Sequence, residues 1–304
     1  MEQQVEETMN ARPQAVRAEA RQVDSASRVT PQQSCPSCAA AASAGAATTP
    51  SWIYAIGKIE TRFPSLAIEK EYAQVLGRGD TSGLTDKQAL HAVLAKPENR
   101  YLARRVCWVM TIEGLETYLL YPRDSADLSL LVESVRETPS PTDLDIVIGS
   151  QGPIATPDVC NGLQIPILIF DQVYSLDRET LVSAIPKPEK LSAEEFAPAA
   201  SELFDRIMQM ADNAGATDEH RALNYLAVRY PAVYSTASAA FARNASLEAI
   251  DVQTSPLSGA RNIVEVVFSF RDRTTDVVDK FFTRVDITDE FPFLVSKMAP
   301  YFDR

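Results

Sequence analysis

Two cysteines three residues apart, Cys35 and Cys38 in "SCPSC", are the residues whose type and spacing most directly suggest chemistry. Cys-x-x-Cys is half of a zinc knuckle or a redox dithiol, and Pro36 between them favours a tight turn. The chain has four cysteines in all. Cys107 stands in an apolar run before Trp108, and Cys160 stands in the loop-like "TPDVCNGLQ". A four-thiolate zinc site would use Cys35, Cys38, Cys107 and Cys160 and would pin an otherwise featureless N-terminal segment to a folded region. The plainer alternatives are a core thiol at Cys107 and a loose redox pair, or no role, at Cys35 and Cys38.

Other catalytic signatures are missing from the sequence. Histidine occurs only as His91 and His220. His91 reads as a helix-surface or core-edge residue. His220, beside Asp218, Glu219 and Arg221, reads as part of a solvated charged face. There is no Gly-x-Ser-x-Gly elbow, P-loop, His-Glu-x-x-His helix or EF-hand loop. Polar residues that could form an unrecognised site if the fold gathered them are Asp171, Gln172, Asp218, Glu219 and His220.

The elements that must position these groups follow from periodicity. Residues 1–50 read as a flexible tail with no aromatic side chain. "SWIYAIGKIETRF" (51–63) reads as a strand, and 65–77 and 85–95 read as helices capped by Ser65 and Thr85. Residues 104–122 predict two strands joined at Glu113-Gly114, and 125–137 a capped helix. The β-branched runs 144–149 and 164–175 predict buried strands, with a helix over 178–185.

The proline-rich stretch 186–198 reads as a linker. Helices follow over 192–214 and 217–243, the second interrupted near Pro231. In the first, Phe196, Leu203, Phe204, Ile207 and Met210 form a stripe better suited to a core than to an interface. Residues 247–253, 262–272 and 277–288 alternate as antiparallel strands, and 290–302 reads as a terminal helix or turn.

The expected class is α+β: a β-rich N-terminal part, central helices and a C-terminal antiparallel sheet. The expected division is a tail over 1–50, an α/β subdomain over 51–187 and a helical plus antiparallel β subdomain over 188–304.

Apolar residues make up 45% of the chain, enough for a sizeable core, and 41 acidic against 29 basic residues give a net charge of −12. That charge disfavours nucleic acid and anionic membranes as partners. No apolar stretch approaches the ~20 residues of a membrane span, and the polar start "MEQQVEETMNARPQ" is unlike a signal peptide. A cytoplasmic location, with reduced cysteines, is the expectation.

Six strings carry a resemblance: "WIYAIGKIETRFPSLAIEKEYAQ" (52–74), "ENRYLARRVCWVMTIEGLETYLL" (98–120), "PTDLDIVIG" (141–149), "CNGLQIPILIFDQVYS" (160–175), "FDRIMQMADNAGATDEHRALNYLAVRYP" (204–231) and "TRVDITDEFPFLVSKMAPYFDR" (283–304). Together they resemble the C-terminal domain of unknown function of the cyanobactin maturation proteases, the PatA and PatG family. In that family the domain follows a subtilisin-like protease acting on ribosomally made precursor peptides. No protease domain is present in these 304 residues, so the resemblance implies neither peptidase activity nor any catalytic residue. It implies a non-catalytic accessory module that binds a precursor peptide or partner enzymes in making a modified peptide; a homodimer is compatible with this. The alternative is an enzyme of unrecognised type acting on a peptide through carboxylates or thiolates.

Overall fold

The computed structural model describes residues 51–77, 83–184, 193–208 and 212–302. The tail over 1–50, with Cys35 and Cys38, lies outside the described residues.

Five strands close into a barrel in the order β1-β2-β3-β5-β4. They are β1 (Trp52–Arg62), β2 (Cys107–Ile112), β3 (Leu115–Pro122), β4 (Asp143–Ile154) and β5 (Pro166–Asp177). All neighbours are antiparallel except β3 and β5, which run parallel from Leu119↔Ile167 to Pro122↔Phe170. The β2–β3 hairpin turns at Glu113 and Gly114, both with positive φ (50° and 81°), as a tight two-residue turn requires.

Between β1 and β2 lie helices α1 (Leu66–Leu76), α2 (Asp86–Leu94) and α3 (Arg100–Ala103); α4 (Leu128–Ser134) precedes β4. Thr85 caps α2 through a reciprocal capping box with Gln88. The turn leading into α4 is capped by Asp124, whose carboxylate accepts from the Ala126 N–H at 2.8 Å. These helices pack Val93, Leu94, Leu102, Leu128 and Leu131 against barrel residues Ile53, Trp108, Met110, Leu168 and Phe170.

The second core joins the barrel's other face to the rest of the chain. Helix α5 (Arg178–Ala184) leads on to α6 (Ala193–Met208), α7 (Asp218–Arg229) and α8 (Ala232–Phe241). An antiparallel sheet then follows in chain order: β6 (Ala245–Thr254), β7 (Ile263–Asp272), β8 (Val278–Asp286) and β9 (Phe293–Pro300). Tyr54, Ile56 and Ile146 of the barrel share one cluster with Phe204 of α6, Leu223 of α7, Tyr234 of α8 and Phe268 of β7. Phe196, Leu203, Phe204 and Ile207 are buried there, as the stripe predicts, while Met210, its fifth residue, lies outside the described residues. The fold is therefore α+β, with helices between a barrel and a sheet.

Two local expectations change. The terminal stretch read as a helix or turn contains strand β9, whose residues alternate in exposure because one face packs Leu294 and Met298 on the core. The proline-rich linker overlaps α6, which begins at Ala193 and carries Pro198 within it.

The barrel is tied to α7 through main-chain atoms of one residue. Tyr54 N–H donates to the Gly215 carbonyl at 2.9 Å. The Tyr54 carbonyl accepts from Asn224 Nδ2 at 2.7 Å, and Asn224 also exchanges hydrogen bonds with Asn213 at 2.9 and 3.1 Å. Gly215 sits at φ 75°, and a Cβ there would lie 2.3 Å from the Tyr54 carbonyl oxygen. Gly215→Ala should therefore cost about 2–4 kcal/mol, from strain and a backbone clash together. Asn224→Ala should cost about 2–3 kcal/mol by leaving buried polar groups unpaired. Denaturant unfolding checks both, and a Gly215→Ala protein as stable as the parent would contradict this account of the joint.

Candidate functional site

A cleft of about 440 Å3 opens beside β1, between α1, α2 and the segment leading into β4. Phe63, Tyr72, Leu76 and Leu90 give it an apolar wall, and Lys58, Glu60, Asp86 and Lys87 place both signs of charge around it. The rings of Phe63 and Tyr72 lie 5.2 Å apart. Burial, together with the charge of Asp86, raises the pKa of the Tyr72 hydroxyl.

Strand register explains why the cleft exists. β1 pairs with β4 from Trp52↔Ser150 to Gly57↔Asp145 and no further. Gln151 N–H donates to the Ser51 carbonyl at 2.8 Å, which assigns the odd-numbered residues of β1 to the β4 edge. At the next odd position, Ile59, the N–H donates to Asp145 Oδ2 at 2.7 Å. A side chain has replaced the strand. Asp145 is 5% exposed and its other oxygen accepts from the Ser175 hydroxyl. Desolvation raises its pKa against the lowering effect of those two donors. Beyond Ile59, no described strand pairs with this edge at Thr61.

A second polar group joins barrel and sheet. Arg123 grips Asp171 with two hydrogen bonds, one of 2.7 Å, and donates to Ser150 at 3.0 Å. Glu290, in the β8–β9 turn, stands close enough to Asp171 for the two carboxyl groups to shift each other's pKa. Burial, then Asp171, push the Glu290 pKa up to about 7. The Arg123 hydrogen bond holds Asp171 below its usual range.

The residues singled out in the sequence scatter. Asp171 belongs to the Arg123–Glu290 group, while Gln172 donates to the Val173 carbonyl on β5. Asp218 lines a different cleft with Arg221, Arg261 and Asn262, and accepts from Asn262 at 2.6 Å. Glu219 and His220 lie in the first turn of α7. His220 and Arg221 are not on a solvated face: they are 9% and 4% exposed. Desolvation lowers the His220 pKa. Arg221 donates to the carbonyls of Ile287, at 2.8 Å, and Asp289, holding the β8–β9 turn against α7. His91 lies half-buried on α2.

Cys107 and Cys160 are brought together and joined as a disulfide, with Cα atoms 5.8 Å apart. They sit among Val109, Leu119 and Ala155 under the β4–β5 loop. In this form the pair offers no thiolate, so a four-cysteine metal site would need it reduced. Among the described residues, no group of three or more His, Cys, Asp or Glu side chains is placed to hold a metal ion. No described helix is long and apolar enough to cross a membrane.

These features define a class: an α+β module with a strand-edged cleft of mixed apolar and charged lining. Comparison with known proteins adds the particulars. Residues 190–301 match the family model described as PatG C-terminal. A solved structure titled "PatG Domain of Unknown Function" has the same fold, with a TM-score of 0.66 and 20% identity, over 83% of this chain and 99% of that one. No curated protein matches.

The carboxyl pair makes a pH prediction. Glu290 has a folded pKa raised from 4.5 to about 7, so the folded state holds the proton more tightly. Its contribution to stability is then fully present at low pH and declines as pH rises through that interval. Asp171 has the opposite shift and titrates below this window. Glu290→Gln should flatten this part of the profile of urea midpoint against pH between about 5 and 8. An unchanged slope in the variant would show that Glu290 is not the titrating group.

Proposed function

We propose that this chain is a non-catalytic accessory module in the biosynthesis of ribosomally made, post-translationally modified peptides of the cyanobactin kind, and that it binds peptide in the cleft beside β1. The observation that carries the reading is the cleft itself: apolar walls, both signs of charge at its rim, and main-chain groups of a strand left accessible along one side. The PatG C-terminal match and the shared fold support placing the module in such a pathway.

Calorimetric titration of the chain with synthetic peptides spanning a precursor of this class tests it. Binding should weaken about tenfold or more in Leu90→Glu, because a charge on the apolar wall must be desolvated by the ligand. The folding stability of that variant should change little, since Leu90 is only half-buried. No binding by any such peptide would remove the proposal.

The second reading is an enzyme that acts on a peptide through carboxylates, supported by Glu290 beside the Asp171 that Arg123 holds, with the Glu290 pKa raised to about 7 by burial and by Asp171. Turnover of a peptide by the parent, abolished in Glu290→Gln, would establish it. The four-cysteine zinc site is also carried forward as a proposal resting on cysteine spacing. Elemental analysis of the reduced protein should find one zinc per chain, lost in Cys35→Ser; metal-free reduced protein would dismiss it.

A further inference from the structure

β1 changes partners halfway along, and the change leaves two gaps on opposite edges. On the even-numbered edge, β2 pairs only with residues 58–62. The vacated part of that edge, at Tyr54, is completed by the chain itself, through the Gly215 carbonyl and the Asn224 amide. On the odd-numbered edge, β4 pairs only with residues 52–57. There Asp145 satisfies Ile59 N–H with a side chain, and the chain then turns away. Lys58 donates to the Pro141 carbonyl of the departing segment at 3.1 Å. The Ile59 carbonyl and the Thr61 N–H and carbonyl face the cleft as a short run of strand edge.

We infer that an extended peptide segment adds to β1 here as a further strand, pairing with Ile59 and Thr61 and seating one large apolar side chain against Phe63, Tyr72, Leu76 and Leu90. This rests on the peptide-binding reading above and specifies how the peptide is held. Strand addition supplies sequence-independent affinity through main-chain bonds, and the pocket selects the alternate side chain that points into it. The opposite gap on the same strand shows that β1 accepts main-chain groups from a non-strand segment. Lys58, Lys87, Glu60, Asp86, Asp143 and Asp145 all line the cleft, but Asp145 is taken up by Ile59 N–H and Ser175 and Asp143 by Arg136, which leaves two charges of each sign. The ligand this favours is a neutral, extended segment with an aromatic or large aliphatic residue.

The test uses the full chain and a blocked heptapeptide with a central phenylalanine flanked by serine and threonine, titrated by calorimetry. The peptide is compared with versions N-methylated at alternate positions and with one carrying alanine for the phenylalanine. Methylation of one alternate set should weaken binding about tenfold, and methylation of the other set should leave it unchanged. The alanine version should bind about ten- to a hundredfold more weakly. Thr61→Pro, which removes one edge donor, should lose binding of the parent peptide. The methylation series needs no change to the protein and stands if that variant fails to fold. A peptide that binds in a Leu90-dependent way but is indifferent to methylation overturns strand addition and leaves peptide binding intact. A peptide that does not bind, or binds without regard to Leu90, overturns both.

Discussion

The structure depends on the way β1 is shared. A strand in a closed sheet normally has one neighbour on each edge along its length, which satisfies its main chain. β1 instead has β4 beside its first half and β2 beside its second. Two half-edges are left to be completed by something else. One is completed by Gly215 and Asn224, and that completion attaches the barrel to the helical layer. Gly215 tolerates the contact because it has no Cβ and adopts positive φ. The other half-edge opens into the cleft. Joint and cleft are thus two consequences of one stagger, and a change that restored full β4 pairing would close the cleft as it straightened the sheet.

The layers are held by polar groups as well as by apolar area. Asn224, fully buried, meets a main-chain carbonyl and Asn213. Arg221, one helical turn earlier, spans from α7 to the carbonyls of the β8–β9 turn. Glu290 in that turn reaches Asp171 on β5. The chain of contacts runs from α7 through the turn to the barrel, and the Arg221 terminal nitrogens and the Asn224 amide each reach a carbonyl on another element. Apolar packing is tolerant of small slides, whereas directional bonds of this kind lose much of their strength when misaligned, so they fix how the elements register.

Much of the fold was legible because it is encoded locally. The Thr85 cap, the Glu113-Gly114 turn and the β-branched and aromatic run 262–272 each occupy a few neighbouring residues. Closure of the barrel was not legible. It needs β3 and β5 to pair in parallel across a separation of about fifty residues, and no local pattern specifies that partner. β9 was hidden by Pro292 and Pro300 at its ends and by mixed composition between them; its identity comes from pairing with β8. His220 and Arg221 looked solvated because they share a turn with Asp218 and Glu219. They are buried because carbonyls from a distant turn stand ready to accept from Arg221.

The site was less legible than the fold, and Asp145 shows why. In the sequence it is the one charged residue inside "LDIVIG", an apolar run that reads as a buried strand. A lone carboxylate there is costly unless a donor meets it, so it was a signal that something irregular happens at that position. The signal says nothing of which donor. The answer, Ile59 N–H, lies 86 residues away and follows from β1 running past the end of β4. Cysteine spacing pointed to chemistry; the carboxylate pointed to geometry. Geometry is the better guide here, because the strand edge, the buried acid that caps one side of it and the apolar side chains beside it are what the strand-addition proposal is argued from.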